Sequence, residues 1–371
     1  MRKKKAVKKT VMKKKTPAPK AKPAGTKFHK KRYSTGIAKL DHDVHKVVES
    51  RDLTNSDLLE EMVLTSFKAC SEVSDRGDMK LLNTTTKELR YAFKVFQPYR
   101  NVRKVAIFGS ARTPQSSADY KQASAFARQV VKKKWMVITG ASDGIMHAGN
   151  EGAGRKNSFG VNIQLPFEQS ANPIIDNDSK LVNFKYFFTR KLIFIRESDA
   201  TVLCPGGFGT HDEGFETLTL IQTGKTSPRP VVCLDPPGSK YWSSWRTWLK
   251  MHLARNGLID PDDIGLIDFT HSAEKAVEIV TNFYRNYHSI RYIRDLLVMR
   301  IKRPITGKKL DRLNRRFGKI LKKGKIQQHE NPFQEETNEH FDTQDLTRIS
   351  FYFNRRSLAL LKRMIEEINE F

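Results

Sequence analysis

The chain has 371 residues, 38% of them hydrophobic and 10% aromatic, and a net charge of +27. Its length and apolar content exclude a wholly disordered protein and leave room for one large domain with additions, or for two domains. The charge is confined: residues 1–33 hold fifteen Lys or Arg and no acid, residues 291–325 hold fourteen against Asp295 and Asp311, and the remainder is neutral.

Three cysteines, Cys70, Cys204 and Cys233, lack CxxC spacing and sit in or near apolar segments. That pattern suits buried thiols in a reducing compartment rather than a disulfide framework or a zinc site. No apolar run approaches the roughly 20 residues a membrane helix needs, and no apolar h-region follows the basic N-terminus. A soluble, cytoplasmic protein without membrane contact is expected.

In chain order, residues 1–33 read as a disordered basic tail of Lys, Ala, Pro and Thr. Such a tail either solubilises the protein or makes salt-sensitive, sequence-independent contact with nucleic acid. Residues 34–100 read as a helical N-terminal region, because Val47, Val48, Leu53, Leu58, Leu59, Met62, Val63 and Phe67 recur at three- and four-residue spacing. From residue 101 the rhythm changes. The apolar runs KVAIFG, WMVITG, FGVNIQL, ATVLC and PVVCL alternate with helix-like segments. This alternation predicts an α/β fold, a Rossmann-like doubly wound parallel sheet over 101–287 with helical N-terminal and C-terminal extensions. Residues 288–371 are expected to form a separate, basic, mainly helical C-terminal extension, in which RISFYF is a candidate strand. It would close with an amphipathic helix presenting Leu358, Leu360, Leu361, Met364, Ile365 and Ile368 on one face.

Ligands of doubly wound sheets bind beyond the carboxyl ends of the strands, and three of those ends read GSAR, TGASDG and PGGFGT. In the last, Gly206, Gly207 and Gly209 permit positive φ and close backbone approach. A glycine turn into a helix N-terminus suits a phosphate, although it serves equally as a tight strand-to-helix turn. Thr210 and Glu213 have the spacing of a capping box, with Thr210 as N-cap. The same Glu213 is also placed to face a bound sugar phosphate. Arg190, near the start of a helix leading into ATVLC, can reach the same cleft mouth with a bidentate guanidinium, where it would also hold Glu213 ionised, and Lys191 adds a point charge. His147 and His211 are isolated, so no metal site is expected.

TRK at 189–191, ESDATVLCPGGFGTHDE at 197–213 and TGASDGIMHAGNEGA at 139–153 resemble the signature blocks of the Lonely Guy family, and VNIQLPFEQSANP at 161–173 resembles its longer bacterial branch. The likeness spans about residues 100–287. The basic segment with RISFYFNRRS resembles the C-terminal extension of that branch, and the N-terminal tail matches nothing in the family. The resemblance implies a phosphoribohydrolase of nucleoside 5′-monophosphates, needing no cofactor and acting as a homodimer or higher homo-oligomer. By position it makes Arg190 and Glu213 catalytic and places Lys191 and Gly206, Gly207, Phe208, Gly209, Thr210, His211 and Asp212 at the nucleotide. Gly109, Ser110, Gly140, Ser142 and Glu168, at the other strand ends, complete the expected substrate site. The chain departs from the family pattern at Ala141 and Ser142, where glycines are usual, at His211, where Leu or Met stands, and at Gly214, which replaces a bulky apolar residue. The specific expectation is cleavage of a purine nucleotide, AMP first, to free base and ribose 5-phosphate. The alternative is a nucleotide sensor without turnover, its tails contacting nucleic acid.

Overall fold

Helices and strands fall where apolar spacing changes from three or four residues to continuous runs. The computed structural model describes residues 33–73, 75–165, 170–336 and 343–371. Most of the basic tail, residues 1–32, and Glu168 lie outside the described residues. The chain divides into two compact units, with the boundary between Leu81 and Leu82.

In the first unit, α1 (Ala38–Glu49) and α2 (Ser56–Glu72) bury Val44, Val48 and Leu64 together, with Leu40, Leu59 and Val63 partly buried against them. Helix α3 (Arg76–Phe96) includes the boundary, and its buried residues Ala92 and Phe96 belong to the second unit.

The second unit is built on seven strands: β1 (Lys104–Phe108), β2 (Met136–Thr139), β3 (Ser158–Ile163), β4 (Leu181–Phe184), β5 (Ala200–Leu203), β6 (Val231–Leu234) and β7 (Ile267–Thr270). They pair in the order β4-β3-β2-β1-β5-β6-β7, every pair parallel. The order reverses between β1 and β5, where Val105 pairs with Ala200 and Phe108 with Leu203. Residues of alternate parity face opposite sides. Val105, Ile107, Val137 and Val202 pack with residues of α4 (Ala118–Lys132), α5 (Ile145–Ala153) and α9 (Ala273–Asn282). Ala106, Phe108, Ile138 and Leu203 pack with α3, α6 (Phe187–Glu197), α7 (Phe208–Gln222) and α8 (Tyr241–Trp248). This is the doubly wound architecture that the apolar runs predict.

The C-terminal region differs from expectation. Strands β8 (Tyr287–Ile293), β9 (Leu296–Ile301), β10 (Leu321–His329) and β11 (Thr347–Phe353) form an antiparallel sheet in the order β10-β11-β9-β8. The two helices α10 (Gly307–Phe317) and α11 (Leu358–Glu370) are present, but the region is not mainly helical. Nor is it separate, because Leu297, Met299, Ile349, Phe351, Met364 and Ile368 belong to the same buried cluster as Val105 and Val202. Strand β11 takes in the expected RISFYF, whereas β8, β9 and β10 are additional to expectation. Arg300 in β9 and Arg348 in β11 are buried on Glu336 at 2.7 and 3.3 Å, which compensates charges that would otherwise exclude those segments from a core.

Among the described residues no helix is long and apolar enough to cross a membrane. Cys204 and Cys233 are buried as expected, whereas Cys70 is exposed.

Candidate active site at the carboxyl ends of β1 and β5

The reversal of strand order opens a crevice between the loops that follow β1 and β5, and these loops are tied together. Ser110 N–H donates to the Pro205 carbonyl at 3.1 Å, and the Ser110 carbonyl accepts from Ile145 N–H at 3.0 Å. Glycine is required where the backbones crowd. A Cβ on Gly206 would strike the Thr210 hydroxyl, and one on Gly109 would sit 2.6 Å from Ile145. Gly207 and Gly209 have open space around them, and neither they nor Gly206 adopts positive φ. The expectation of left-handed backbone in this turn is therefore not met. Its glycines serve close approach and an uncovered helix end.

The helix starts earlier than the sequence suggests. Gly207 is the N-cap of α7, so Thr210 is its third residue, and no side chain caps the turn. The expected Thr210–Glu213 capping box is absent, because Gly207 already occupies the cap position. Thr210 N–H donates to the Gly207 carbonyl at 3.1 Å, and the amides ahead of it, on Phe208 and Gly209, lack intrahelical acceptors by position. These amides, with the positive end of the helix dipole, suit a phosphate.

The cleft, about 730 Å³ in volume, is lined by Gly109, Ser110, Arg190, Gly206, Gly207, Phe208, Gly209, Thr210, His211, Asp212 and Glu213, all expected from sequence, and by Phe108, Ala111, Arg112, Met146 and Phe187, which were not. Arg112 ends the GSAR strand-end motif, and Met146 and Phe187 lie in or beside the motifs at 139–153 and 189–191, so the signal for these three was adjacency alone. Gly140 and Ser142 are not wall residues. Gly140 acts from behind: a Cβ there would lie 2.5 Å from both the Arg190 guanidinium and Met146 Sδ. Ser142 contributes its carbonyl to the buried Asn172 side chain at 3.1 Å.

Arg190 is oriented by donation from Nε to the Val161 carbonyl at 2.9 Å. The preceding Thr189 hydroxyl donates to Glu88 at 2.5 Å, and Glu88 also accepts from Lys185 N–H at 2.6 Å, so the start of α6 is fixed. Lys191 is not on the cleft wall. It forms ion pairs with Asp212 at 2.9 Å and Glu216 at 2.7 Å. Burial lowers its pKa, but the bonds to Glu216 and Asp212 outweigh this and leave it raised.

Glu213 is 6% exposed, and its buried Oε2 has no hydrogen-bond partner among the described residues. Desolvation pushes its pKa up to about 7, against the opposing attraction of Lys191 and Arg190. The expectation that Arg190 keeps this group ionised is therefore only half met. Burial wins over that attraction and leaves the carboxyl divided between its two forms near neutrality.

The departures from the family pattern have distinct consequences. Ala141 has φ of 65°, a conformation that favours glycine, and it is held by Asn172 N–H donating to its carbonyl at 2.7 Å. Gly214 does not loosen the packing, because Leu203 occupies the space a side chain would take, 2.9 Å from a Cβ there. His211 joins an aromatic group with Phe215, Tyr241, Trp242 and Trp245. The Tyr241 hydroxyl donates its proton to the Gly206 carbonyl, so in its 2.8 Å bond with His211 it accepts from Nε2. Burial lowers the His211 pKa, and the neutral ring keeps Nδ1 as an acceptor.

Among the described residues no cluster of His, Cys, Asp or Glu could hold a metal ion. Among the described residues no lysine lines the cleft, and these residues do not fit a pyridoxal phosphate held through a Schiff base.

Residues 138–280 match the family described as "Possible lysine decarboxylase". Over 88 residues the chain is 36% identical to the cytokinin riboside 5′-monophosphate phosphoribohydrolase of Mycobacterium tuberculosis, a stretch covering 24% of this chain and 42% of that protein. The chain thus spans less than half the length of this curated relative. Among solved structures, the molybdenum cofactor carrier protein of Chlamydomonas reinhardtii aligns with a TM-score of 0.35 and 18% identity, over 48% of this chain and 96% of that one. DNA processing protein A of Streptococcus pneumoniae aligns with a TM-score of 0.34 and 13% identity, over 63% and 85% of the two chains.

Proposed function

We propose that this chain is a member of the Lonely Guy family, which the match over residues 138–280 and the partial likeness to a phosphoribohydrolase support, and that it hydrolyses the N-glycosidic bond of a purine nucleoside 5′-monophosphate, AMP foremost, to free base and ribose 5-phosphate. The observation that carries the proposal is Glu213: a carboxyl with a buried, unpartnered oxygen and a pKa near 7, in a cleft whose other end is an uncovered helix N-terminus.

Cleavage at C1′ develops positive charge on the sugar. In its ionised form Glu213 stabilises that charge and takes a proton from the attacking water as the C1′–O bond forms, in the way carboxylates serve glycoside hydrolysis. The C1′–N bond breaks, and the base leaves with its electron pair and is protonated from solvent. The 5′-phosphate sits on the amides of Phe208 and Gly209, so binding energy remote from C1′ positions the reacting carbon. Arg190, which also lines the cleft, holds the ribose phosphate. Glu168 is proposed as a second carboxylate.

A decarboxylase reading is disfavoured by Lys191, whose ammonium is committed to Asp212 and Glu216 instead of standing neutral as a nucleophile. A homodimer is part of the proposal, since Phe187, Phe188, Leu192 and Phe208 are exposed on α6 and the start of α7, Phe208 at 96%. A monomer in gel filtration at micromolar concentration would count against it.

The test is release of ribose 5-phosphate from AMP, GMP, CMP, UMP and an N6-substituted AMP by the parent and by Glu213→Gln. Release abolished in the variant supports the hydrolase. Binding without release from any nucleotide by the parent would identify a sensor.

A further inference from the structure

Residues 302–325 contain eleven Lys or Arg and one acid, Asp311. Within them lie α10 and the start of the edge strand β10, whose pairing is irregular between Leu321 and Gln327, with a groove of about 550 Å³ between the two. Arg315 lines one wall, Lys323 and Lys325 the other, with Asp311 as the lone carboxylate. Lys308, Lys319 and Lys322 are exposed beside it. The spacing of the walls is fixed by Asn314, whose Oδ1 accepts from Ile326 N–H at 2.8 Å while its Nδ2 donates to the Ile326 carbonyl at 3.0 Å.

The cations of α10, the turn after it and β10 fall mostly into two sets. Arg312 and Arg316 pair with Glu367 at 2.7 and 2.6 Å, and Lys309 donates to the Phe371 carbonyl at 2.8 Å. Lys308, Arg315, Lys319, Lys322 and Lys325 form no ion pair among the described residues. Lysines on an edge strand commonly guard against strand addition, which would explain β10. That explanation does not reach Lys308, Arg315 and Lys319, which lie off the strand and raise the repulsion across the groove.

We propose that this groove docks the phosphate backbone of a nucleic-acid duplex. The chemistry of the face selects that partner. Among the described residues beyond Tyr292 no large hydrophobic side chain is exposed. Tyr352 is half-buried beneath Lys323, whose ammonium lies 4.4 Å from the ring centroid, so the surface offers no open aromatic platform for single-stranded bases and no apolar anchor for a membrane. What remains is like charge clustered on two walls, which complements the dense negative charge of a duplex, about one per 1.7 Å of axis.

The test is binding of a short mixed-sequence DNA duplex to the full chain, followed by fluorescence anisotropy from about 50 to 200 mM salt. The N-terminal tail is present in every protein compared, so its share cancels. In R315E/K323E/K325E the slope of log K against log salt should fall by about 0.9 for each phosphate that is no longer neutralised, with release of ribose 5-phosphate unchanged. R315Q/K323Q/K325Q should shift the slope in the same direction, and its thermal melt should match the parent's if the charge-reversed protein proves unstable. An unchanged slope in a folded variant overturns the proposal. So does equal competition by polyglutamate, or groove-dependent binding to anionic vesicles in place of the duplex.

Discussion

The cleft at β1 and β5 and the groove at α10 and β10 use ionisable groups in opposite ways. In the cleft the central carboxyl is buried, its cations stand beside or behind it, and desolvation moves its pKa to about 7. In the groove the cations stand in water on two walls, and their field acts outward, where salt screens it. The first arrangement suits bond cleavage, because proton affinity is tuned at one atom. The second suits reversible binding, because charge is displayed without being tuned. One chain holds both by concentrating its net positive charge in residues 1–33 and 291–325 while the rest is neutral overall.

The comparison breaks most visibly at Glu213. Glu213→Gln should lower kcat for ribose 5-phosphate release by about 10²- to 10⁴-fold while nucleotide binding persists. Loss of binding in step with turnover would instead make Glu213 a binding residue. Next comes Gly140→Ala, whose new methyl must displace the Arg190 guanidinium or Met146. A displacement of about 1 Å is expected to reduce kcat/KM by about 10²-fold with a melting temperature near the parent's. Steady-state kinetics beside a thermal melt checks both points.

Stability sharpens the same contrast. The folded-state pKa of Glu213 lies above its ordinary value of 4.5, so the folded protein binds more protons than the unfolded chain between about pH 4.5 and 7. Its contribution is fully present below that window and is lost as pH rises through it. Glu213→Gln removes the titration, so its stability relative to the parent should grow by about 3 kcal/mol across the window. Urea melts at pH 4.5 and 8 measure this, and an unchanged difference would mean that the carboxyl is not desolvated. The smallest effect belongs to Lys191→Met. Removing an attraction that lowers the Glu213 pKa should move the acid limb of the rate profile upward by a fraction of a unit. A downward move would contradict the assigned electrostatics.

The glycine turn, Arg190 and Glu213 were legible in the sequence because close backbone approach and a strand-end position leave marks in residue type. The helix start was misread because Thr210 has the composition of a cap, while Gly207 takes the position through backbone geometry alone. Lys191 was misplaced because adjacency to Arg190 does not reveal that the side chain turns towards Asp212 and Glu216. The antiparallel sheet was hidden for a related reason. Only RISFYF carries a clear strand pattern, and Arg300 in β9 is accommodated in the interior through Glu336, distant in sequence, which also pairs with Arg348. Interactions between residues far apart in the chain decide these cases, and local pattern does not contain them.

The most direct measurement is the pH dependence of kcat/KM for AMP hydrolysis by the parent protein. If ionised Glu213 is the reacting carboxylate, the rate should rise about tenfold per pH unit below an apparent pKa near 7 and level off above it. A profile flat from pH 5 to 8, or one rising with a pKa near 4.5, would contradict the role assigned to this buried carboxyl.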